Sequence, residues 1–274
     1  MTDETIRHQV MWDRLITIVE EQAQTLIRTG FSVSTREAGD VSAGVFDLKG
    51  RMLAQAVTGT PGHINSMALS VKHFIDKFPL STMAEGDIYI TNDPWKGTGH
   101  LHDIVVVTPT FKNKKLVALF ACTTHVVDIG GMGMAPDSKQ IYHEGLFIPL
   151  MYFMKAGQLN ETLLDFVHHN CRESKQVEGD IYALANCNDV GSRRLISMMA
   201  QYELNDLDEL AKTIINSTKS AMCMAIAKLP TKKVFNQMTM DGYDEEIVLN
   251  ASFEVSGDKV VVDFEGTSPV SDFG

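Results

Sequence analysis

The amino-acid sequence predicts an α+β fold, with antiparallel β-hairpins and a mixed sheet packed against helices. Apolar residues recur at steps of three or four over residues 5–29, 177–202 and 206–229, which is the period of an amphipathic helix. Elsewhere, β-rich runs separated by short polar turns indicate three hairpins. Histidines and aspartates gather at the end of the central hairpin, so this end is a candidate metal site.

The chain begins with a helix and continues into a hairpin. The helix ends at Gly30, because glycine commonly follows the last helical turn. Two β-rich runs, Val41–Asp47 and Arg51–Gln55, then flank a short turn that contains Gly50. The charged residues just before this hairpin, Arg36, Glu37 and Asp40, are expected on a solvated face, with a role in a site as the alternative.

Capping residues and apolar periodicity predict two shorter helices. Pro61 lies at the entrance of a helix expected over about Ile64–Phe78, with Asn65 or Ser66 as its cap. A further helix is expected over Gln158–Val167.

Composition excludes several classes of function. The 274 residues carry a net charge of −11, which argues against nucleic acid as a partner. The chain has no apolar run of about 18 residues that could span a membrane. It also lacks a Walker A motif, a G-x-S-x-G elbow and a signal-peptide core. Its four cysteines are widely spaced without a C-x-x-C pair, as in a reduced cytoplasmic protein.

The central hairpin has a register that can be counted from its turn. Two β-rich runs, Ile104–Pro109 and Lys115–Cys122, are joined by a polar segment. If the turn is centred on Asn113 and Lys114, the numbers of paired residues sum to about 227. Residues that are distant in sequence therefore meet at the open end of the hairpin.

Histidine and aspartate side chains meet at that open end. The register places His102 across from His125 and Asp103 across from Thr124, with His100 diagonal to His125. Alternation then puts Asp103 and His125 on opposite faces, so a site that uses both needs a bend or a bulge. Imidazole nitrogen and carboxylate oxygen are ligands for a divalent metal. The same residue types also cap strand ends, and the residues alone leave both interpretations open.

Seven segments, taken together, resemble one protein family. They are SVSTREAGDVSAGVFDLKGRMLAQ, PGHINSMA, GDIYITNDPWKGTGHLHDIVVVTPTF, THVVDIGG, EGLFIP, GDIYALANCNDVGSRRL and DFEGTSP, in this order between Ser32 and Pro269. The pattern resembles the hydantoinase B/5-oxoprolinase family, which includes N-methylhydantoinase B and the alpha subunits of acetone carboxylases. Seven segments in order are far more specific than any one of them.

The resemblance covers the N-terminal half of that family's domain, whose members are usually about twice as long. It divides residues 1–274 into a helix at 5–29, a β-rich region with the metal site at 32–150, a helical region at 158–229 and a β region at 233–274. The last hairpin joins Ile247–Val255 to Lys259–Phe264 and is followed by a loop with no closing element. We therefore expect that the chain is truncated and continues in the full gene.

The resemblance also implies a set of metal ligands. In the carboxylase branch the metal motif is H-x-x-D with a later histidine, which corresponds to His100, Asp103 and His125 here. His102 stands where many relatives have proline and remains the alternate ligand. Asp128 is a second alternate or a supporting carboxylate.

Two further residues lie in segments that the family brings near its pocket. His63 of PGH and Glu144 of EGLFIP are therefore candidate catalytic residues, and either could act as a general base. On the residues alone, His63 could instead cap a helix and Glu144 could be a surface carboxylate. The turn Asn92–Pro94 is expected to support the site.

The resemblance implies one half of a cytoplasmic, hetero-oligomeric, ATP-driven enzyme. A separate hydantoinase A-type subunit would bind ATP and phosphorylate the substrate, and this chain would complete the reaction with manganese or zinc. The leading hypothesis is a cyclic-amide hydrolase that opens a hydantoin or 5-oxoproline ring. The alternatives are the alpha subunit of a ketone carboxylase and an inactive, truncated protein that only binds the ATPase subunit. Bicarbonate-dependent ATP hydrolysis would favour the carboxylase, whereas an in-frame continuation of the gene would exclude the inactive form.

Overall fold

Six α-helices and ten strands form in the part of the chain that the structure describes. This computed structural model describes residues 3–133, 136–271 and 273. The helices are α1 (Asp3–Thr29), α2 (Pro61–Lys77), α3 (Ile141–Glu144), α4 (Glu161–Asn170), α5 (Ser174–Gln201) and α6 (Asp208–Ile226), with a π-helical turn at Ser34–Ala38 and a 3-10 turn at Leu80–Thr82. The strands are β1 (Val41–Phe46), β2 (Met52–Gln55), β3 (Ile88–Thr91), β4 (Asp103–Lys112), β5 (Lys115–His125), β6 (Met151–Lys155), β7 (Gln158–Leu159), β8 (Val234–Met240), β9 (Ile247–Ser256) and β10 (Lys259–Asp263).

A seven-stranded sheet organises the larger of two units, which comprises residues 1–135 and 140–211. The strand order is β2-β1-β5-β4-β3-β6-β7, and every described strand pair is antiparallel. The α+β class is confirmed, although the sheet expected to be mixed is antiparallel throughout its described pairs. The long strands β4 and β5 lie at the centre of the sheet, and most of their residues are buried.

Helices cover both faces of this sheet. Helices α1 and α5 pack against each other, and α5 packs on β4 and β5 over a core that includes Val106 and Leu184. Helix α2 contacts the opposite face, where Phe74 packs with Val105 and Val107. Because side chains alternate along a strand, Asp103 shares the α2 face with Val105 and Val107. Within the described residues, no helix is long and apolar enough to cross a membrane.

The second helix starts earlier than the sequence predicts. Helix α2 begins at Pro61 with Thr60 before it, so Asn65 and Ser66 lie inside the helix instead of capping it. Proline fits the first turn because its missing N–H group would have no partner there. This start places His63 in the first turn of α2.

The predicted helix at Gln158–Val167 also needs a correction. Its first two residues form the short strand β7, and α4 begins only at Glu161. Asn160 caps α4, because its Oδ1 accepts a hydrogen bond from the backbone N–H of Leu163 at 3.3 Å.

The turn of the central hairpin contains two residues. Asn113 and Lys114 have φ values of 51° and 66°, the left-handed conformations of a type I′ turn. Lys112 pairs with Lys115, as counting from the turn predicts. A bulge follows at once, where Val117 on β5 has no partner on β4.

The bulge changes the register at the open end of the hairpin. Asp103 pairs with His125, so the numbers of paired residues sum to 228 there. The predicted pairs, Asp103 with Thr124 and His102 with His125, are therefore wrong by one residue. A count from the turn fails here because a bulge adds a residue to one strand only.

The smaller unit comprises residues 136–139 and 212–274 and contains a three-stranded antiparallel sheet in the order β10-β9-β8. The predicted hairpin of β9 and β10 is confirmed. The register places Val234, Phe253 and Val262 in one row, and apolar residues dominate that face along all three strands. Many of these side chains, including Met238, are exposed.

Candidate metal centre

Four segments bring side chains to the carboxylate of Asp103. Asp103 begins β4, and His125 ends β5 directly opposite. His100 lies in the loop just before β4, where Gly99 has a φ of 115° that favours glycine. His63 reaches the same carboxylate from the first turn of α2.

The Asp103 side chain is only 1% exposed, and both of its oxygens have partners. Its Oδ1 lies 2.7 Å from His100 Nε2 and 3.0 Å from His125 Nδ1. Its Oδ2 accepts a hydrogen bond from Thr98 Oγ1 at 2.9 Å and lies 3.1 Å from His63 Nε2. Because His100 Nε2 and His125 Nδ1 are 3.2 Å apart, these two nitrogens and Oδ1 form a triangle.

This triangle suits a divalent ion. Atoms that bond to one ion at about 2.0–2.2 Å lie roughly 3–3.5 Å from one another. The three sides of the triangle measure 2.7, 3.0 and 3.2 Å. Two imidazole nitrogens and a carboxylate oxygen are also atoms that zinc and manganese bind as ligands. The side chains of His100, Asp103 and His125 therefore fit a metal ion.

His100 and Asp103 favour each other's charged form. Burial raises the pKa of Asp103, but hydrogen bonds from His100, His125 and His63 outweigh burial and hold that pKa well below its usual range. The hydrogen bond to Asp103 raises the pKa of His100 in turn, against the effect of burial. The carboxylate is therefore ionised at neutral pH, as a metal ligand must be.

His102, the predicted alternate ligand, lies outside the triangle of donor atoms. Its ring stacks on that of His125, with centroids 5.2 Å apart and planes 9° from parallel. Burial, together with the neighbouring His125 and His100, lowers the pKa of His102 to about 4. The ring is therefore neutral at pH 7 and packs against the side chain of a candidate ligand.

Asp128 is bound to a different part of the chain. Its Oδ1 lies 2.5 Å from Arg172 Nη2 and accepts the backbone N–H of Gly130 at 3.0 Å. Its Oδ2 accepts the backbone N–H groups of Arg172 and Glu173. These bonds tie the loop after β5 to the start of α5, and they occupy both oxygens that the alternate ligand role would need.

Glu144 lies at the edge of the cluster. It ends the short helix α3 and is half-buried. The hydrogen bond that His100 donates to Asp103 contributes most to the raised pKa of His100, and the charges of Asp103, Asp40 and Glu144 follow in that order. No hydrogen bond joins the Glu144 side chain to the cluster within residues 3–133 and 136–271.

The predicted support by the turn Asn92–Pro94 is visible in the hydrogen bonds of Asn92. Its buried Nδ2 donates to the carbonyl oxygens of Leu101 and Leu146 at 2.7 and 2.9 Å. Its Oδ1 accepts the backbone N–H of Ile148 at 2.6 Å. Asn92 thereby joins the loop that carries His100 to the segment that follows Glu144.

Two polar groups of the site are not among the predicted site residues. Thr98 donates to Asp103, and Asp40, expected on a solvated face, lies with its Oδ1 3.7 Å from His63 Nε2. The only available signal for Asp40 is its place just before β1, the neighbour of β5. There its carbonyl oxygen accepts the backbone N–H of His125 at 3.1 Å.

The fold places a candidate metal centre at the end of the central hairpin of an antiparallel sheet, and the chain belongs to the hydantoinase B/oxoprolinase family, whose model matches residues 4–273. The resemblance seen in the sequence is confirmed. The chain is 28% identical to the caprolactamase subunit beta of Pseudomonas jessenii, over 99% of this chain and 48% of that protein. It is also 28% identical to 5-oxoprolinase 1 of Arabidopsis thaliana, over 93% of this chain and 22% of that protein.

Two solved structures share the fold. The crystal structure of the ATP-dependent caprolactamase from Pseudomonas jessenii superposes with a TM-score of 0.87 at 27% identity, over 100% of this chain and 48% of that chain. The nucleotide-free structure of acetone carboxylase superposes with a TM-score of 0.83 at 17% identity, over 99% and 38%, and this similarity concerns the fold alone. The chain thus spans less than half the length of these relatives.

Proposed function

We propose that this chain forms part of the metal-dependent subunit of an ATP-dependent cyclic-amide hydrolase. The observation that carries the proposal is the buried Asp103 carboxylate, with His100 and His125 at 2.7 and 3.0 Å from one oxygen. Family membership supports the substrate class, because the relatives named 5-oxoprolinase and caprolactamase take their names from cyclic amides. One of these relatives is a beta subunit, which supports a separate ATP-binding partner of the hydantoinase A type.

In this proposal His100, His125 and Oδ1 of Asp103 hold the divalent ion, manganese or zinc. A divalent ion bound there supplies a Lewis acid that polarises a ring carbonyl or lowers the pKa of a water ligand. The His100 side chain is 39% exposed and that of His125 is 17% exposed, so the substrate approaches from the His100 side. Asp103 stays ionised and balances the charge of the ion.

Of the two predicted catalytic residues, Glu144 is the better placed proton acceptor. It is half-buried, and its charge acts on His100. Its carboxylate has no hydrogen bond to the cluster within residues 3–133 and 136–271, so it is free to take a proton from an attacking water. The nearer nitrogen of His63, by contrast, already lies 3.1 Å from Asp103.

The proposal is tested by measuring ATP hydrolysis after reconstitution with a hydantoinase A-type subunit. Hydantoin, 5-oxoproline, caprolactam and acetone are each supplied with and without bicarbonate. We expect a cyclic amide to stimulate ATP hydrolysis and to be opened without bicarbonate. Ring opening should be lost in Asp103→Asn and retained in Asp87→Asn, a buried aspartate outside the cluster.

Two results would contradict the hydrolase assignment. Stimulation by acetone that depends on bicarbonate would instead support a ketone carboxylase. No ATP hydrolysis with any of the four substrates, in a complex that forms, would support a chain that only binds its partner.

A further inference from the structure

The two oxygens of the Asp103 carboxylate face different surroundings. Oδ1 belongs to the triangle with His100 and His125. Oδ2 faces Thr98 Oγ1 at 2.9 Å and His63 Nε2 at 3.1 Å, and both of these atoms can carry a proton. An oxygen that accepts two hydrogen bonds is held in place and has less capacity left for an ion.

We infer that His63 is a positioning residue which, together with Thr98, holds Oδ2 of Asp103 and so presents only Oδ1 to a metal. The inference rests on the proposed metal centre, and it replaces the general-base role that the sequence suggests for His63. It requires a proton on His63 Nε2, because an ionised carboxylate oxygen can only accept a hydrogen bond.

The carboxylate of Asp40 also lies near His63 Nε2, but it is a weaker hydrogen-bond acceptor for this nitrogen than Asp103. Asp40 Oδ1 is 3.7 Å from His63 Nε2, compared with 3.1 Å for Asp103 Oδ2. That Asp40 oxygen already accepts a hydrogen bond from Thr60 Oγ1 at 2.5 Å. The Asp40 side chain is also 35% exposed, so water screens its charge more than that of Asp103. The proton on His63 Nε2 therefore belongs to Asp103.

The other nitrogen of His63 argues against proton transfer to a substrate. His63 is only 6% exposed, and Nδ1 is buried without a hydrogen-bond partner in the described part of the chain. A general base must reach the proton it takes, directly or through one water. Since Nδ1 is enclosed and Nε2 is engaged, neither nitrogen is available for that step.

Two substitutions at position 63 separate these roles. Glutamine places an amide N–H group near the position of Nε2, whereas asparagine is too short to reach Oδ2. In titrations with Zn²⁺ and with Mn²⁺, we expect His63→Asn to lower the affinity about 10–100-fold and His63→Gln to lower it by less than about threefold. His73→Asn, on the same helix but outside the cluster, is the matched control and should bind like the wild type.

The alternatives predict different patterns of affinity. If His63 were itself a ligand, glutamine could not rescue binding, and both variants would lose as much affinity as His100→Ala. If His63 were a general base, His63→Asn would bind the metal as tightly as the wild type. Either pattern, in variants with a wild-type circular dichroism spectrum, would overturn the inference.

The inference and the proposed function can fail separately. A wild-type chain that binds neither Zn²⁺ nor Mn²⁺ contradicts the proposed metal centre. The proton on His63 is measured without metal, by nitrogen-15 NMR of the imidazoles, with His63→Gln used to assign the signal. We expect the proton on Nε2 in the wild type and in Thr98→Val. A signal that shows a bare Nε2 would overturn the inference whatever the metal affinity.

Discussion

Replacing Asp103 by asparagine should remove most of the stabilisation of this chain by a divalent ion while the chain still folds. Asparagine keeps the size of the side chain but removes its charge and replaces one oxygen by an NH₂ group. In the wild type, Oδ1 lies 2.7 Å from His100 Nε2 and 3.0 Å from His125 Nδ1. Loss of the carboxylate removes the anionic ligand, so we expect the affinity to fall by at least about 100-fold.

The size of the effect follows from linkage between binding and folding. An ion at about 100 times its Kd stabilises the folded state by about 2.7 kcal/mol. After a loss of about 100-fold in affinity, the same concentration equals Kd and contributes only about 0.4 kcal/mol. In a domain of about 150–250 residues, 1 kcal/mol shifts Tm by about 2–4 °C. The ion should therefore raise Tm by about 5–11 °C in the wild type and by about 1–2 °C in the variant.

The assay is thermal unfolding, followed by circular dichroism with and without the ion. Asp87→Asn is the matched control, because Asp87 is also buried and accepts hydrogen bonds from Ala84, Ala156 and the Tyr89 hydroxyl at 2.8–3.0 Å. Asp87→Asn should lower Tm of the metal-free chain and retain the full rise with the ion. An equal rise in Asp103→Asn and the wild type would refute the assigned site.

Three further predictions use simpler measurements. His102→Ala should bind Zn²⁺ like the wild type and His100→Ala should lose most binding; the reverse result in calorimetry would make His102 the ligand. Glu20→Gln should lower the free energy of unfolding by roughly 1 kcal/mol at pH 7. Burial raises the pKa of Glu20, but hydrogen bonds, chiefly from Thr58, outweigh burial and lower it, so the difference should vanish as denaturation is measured at acidic pH below that pKa. The chain alone should self-associate in size-exclusion chromatography, because the β8–β10 sheet exposes an apolar face; a stable monomer would contradict this. It should also hydrolyse no ATP, because its sequence contains no Walker A motif.

Local signals account for most of the elements that could be predicted from the sequence. Periodicity identifies α1, α5 and α6, and turn residues identify all three hairpins, because both signals depend on neighbouring residues only. The sequence misplaces the start of α2, because Asn65 and Ser66 are residue types that cap helices but lie inside a helix that begins at Pro61. His63 contacts both Asp40 and Asp103, and Thr98 contacts Asp103. These contacts depend on how α2, β1 and the loop before β4 pack against one another. No local pattern reports such packing.

The bulge on β5 decides which side chains the central hairpin can bring together. At the two-residue turn, residues 112 and 115 pair, so their numbers sum to 227 and each odd-numbered residue faces an even-numbered one. In that register Asp103 and His125 would lie on opposite faces of the sheet. The unpaired Val117 raises the sum to 228, which makes them direct partners on the face that α2 covers. His63 reaches Asp103 on that face, so the candidate metal centre requires the bulge as well as its candidate ligands.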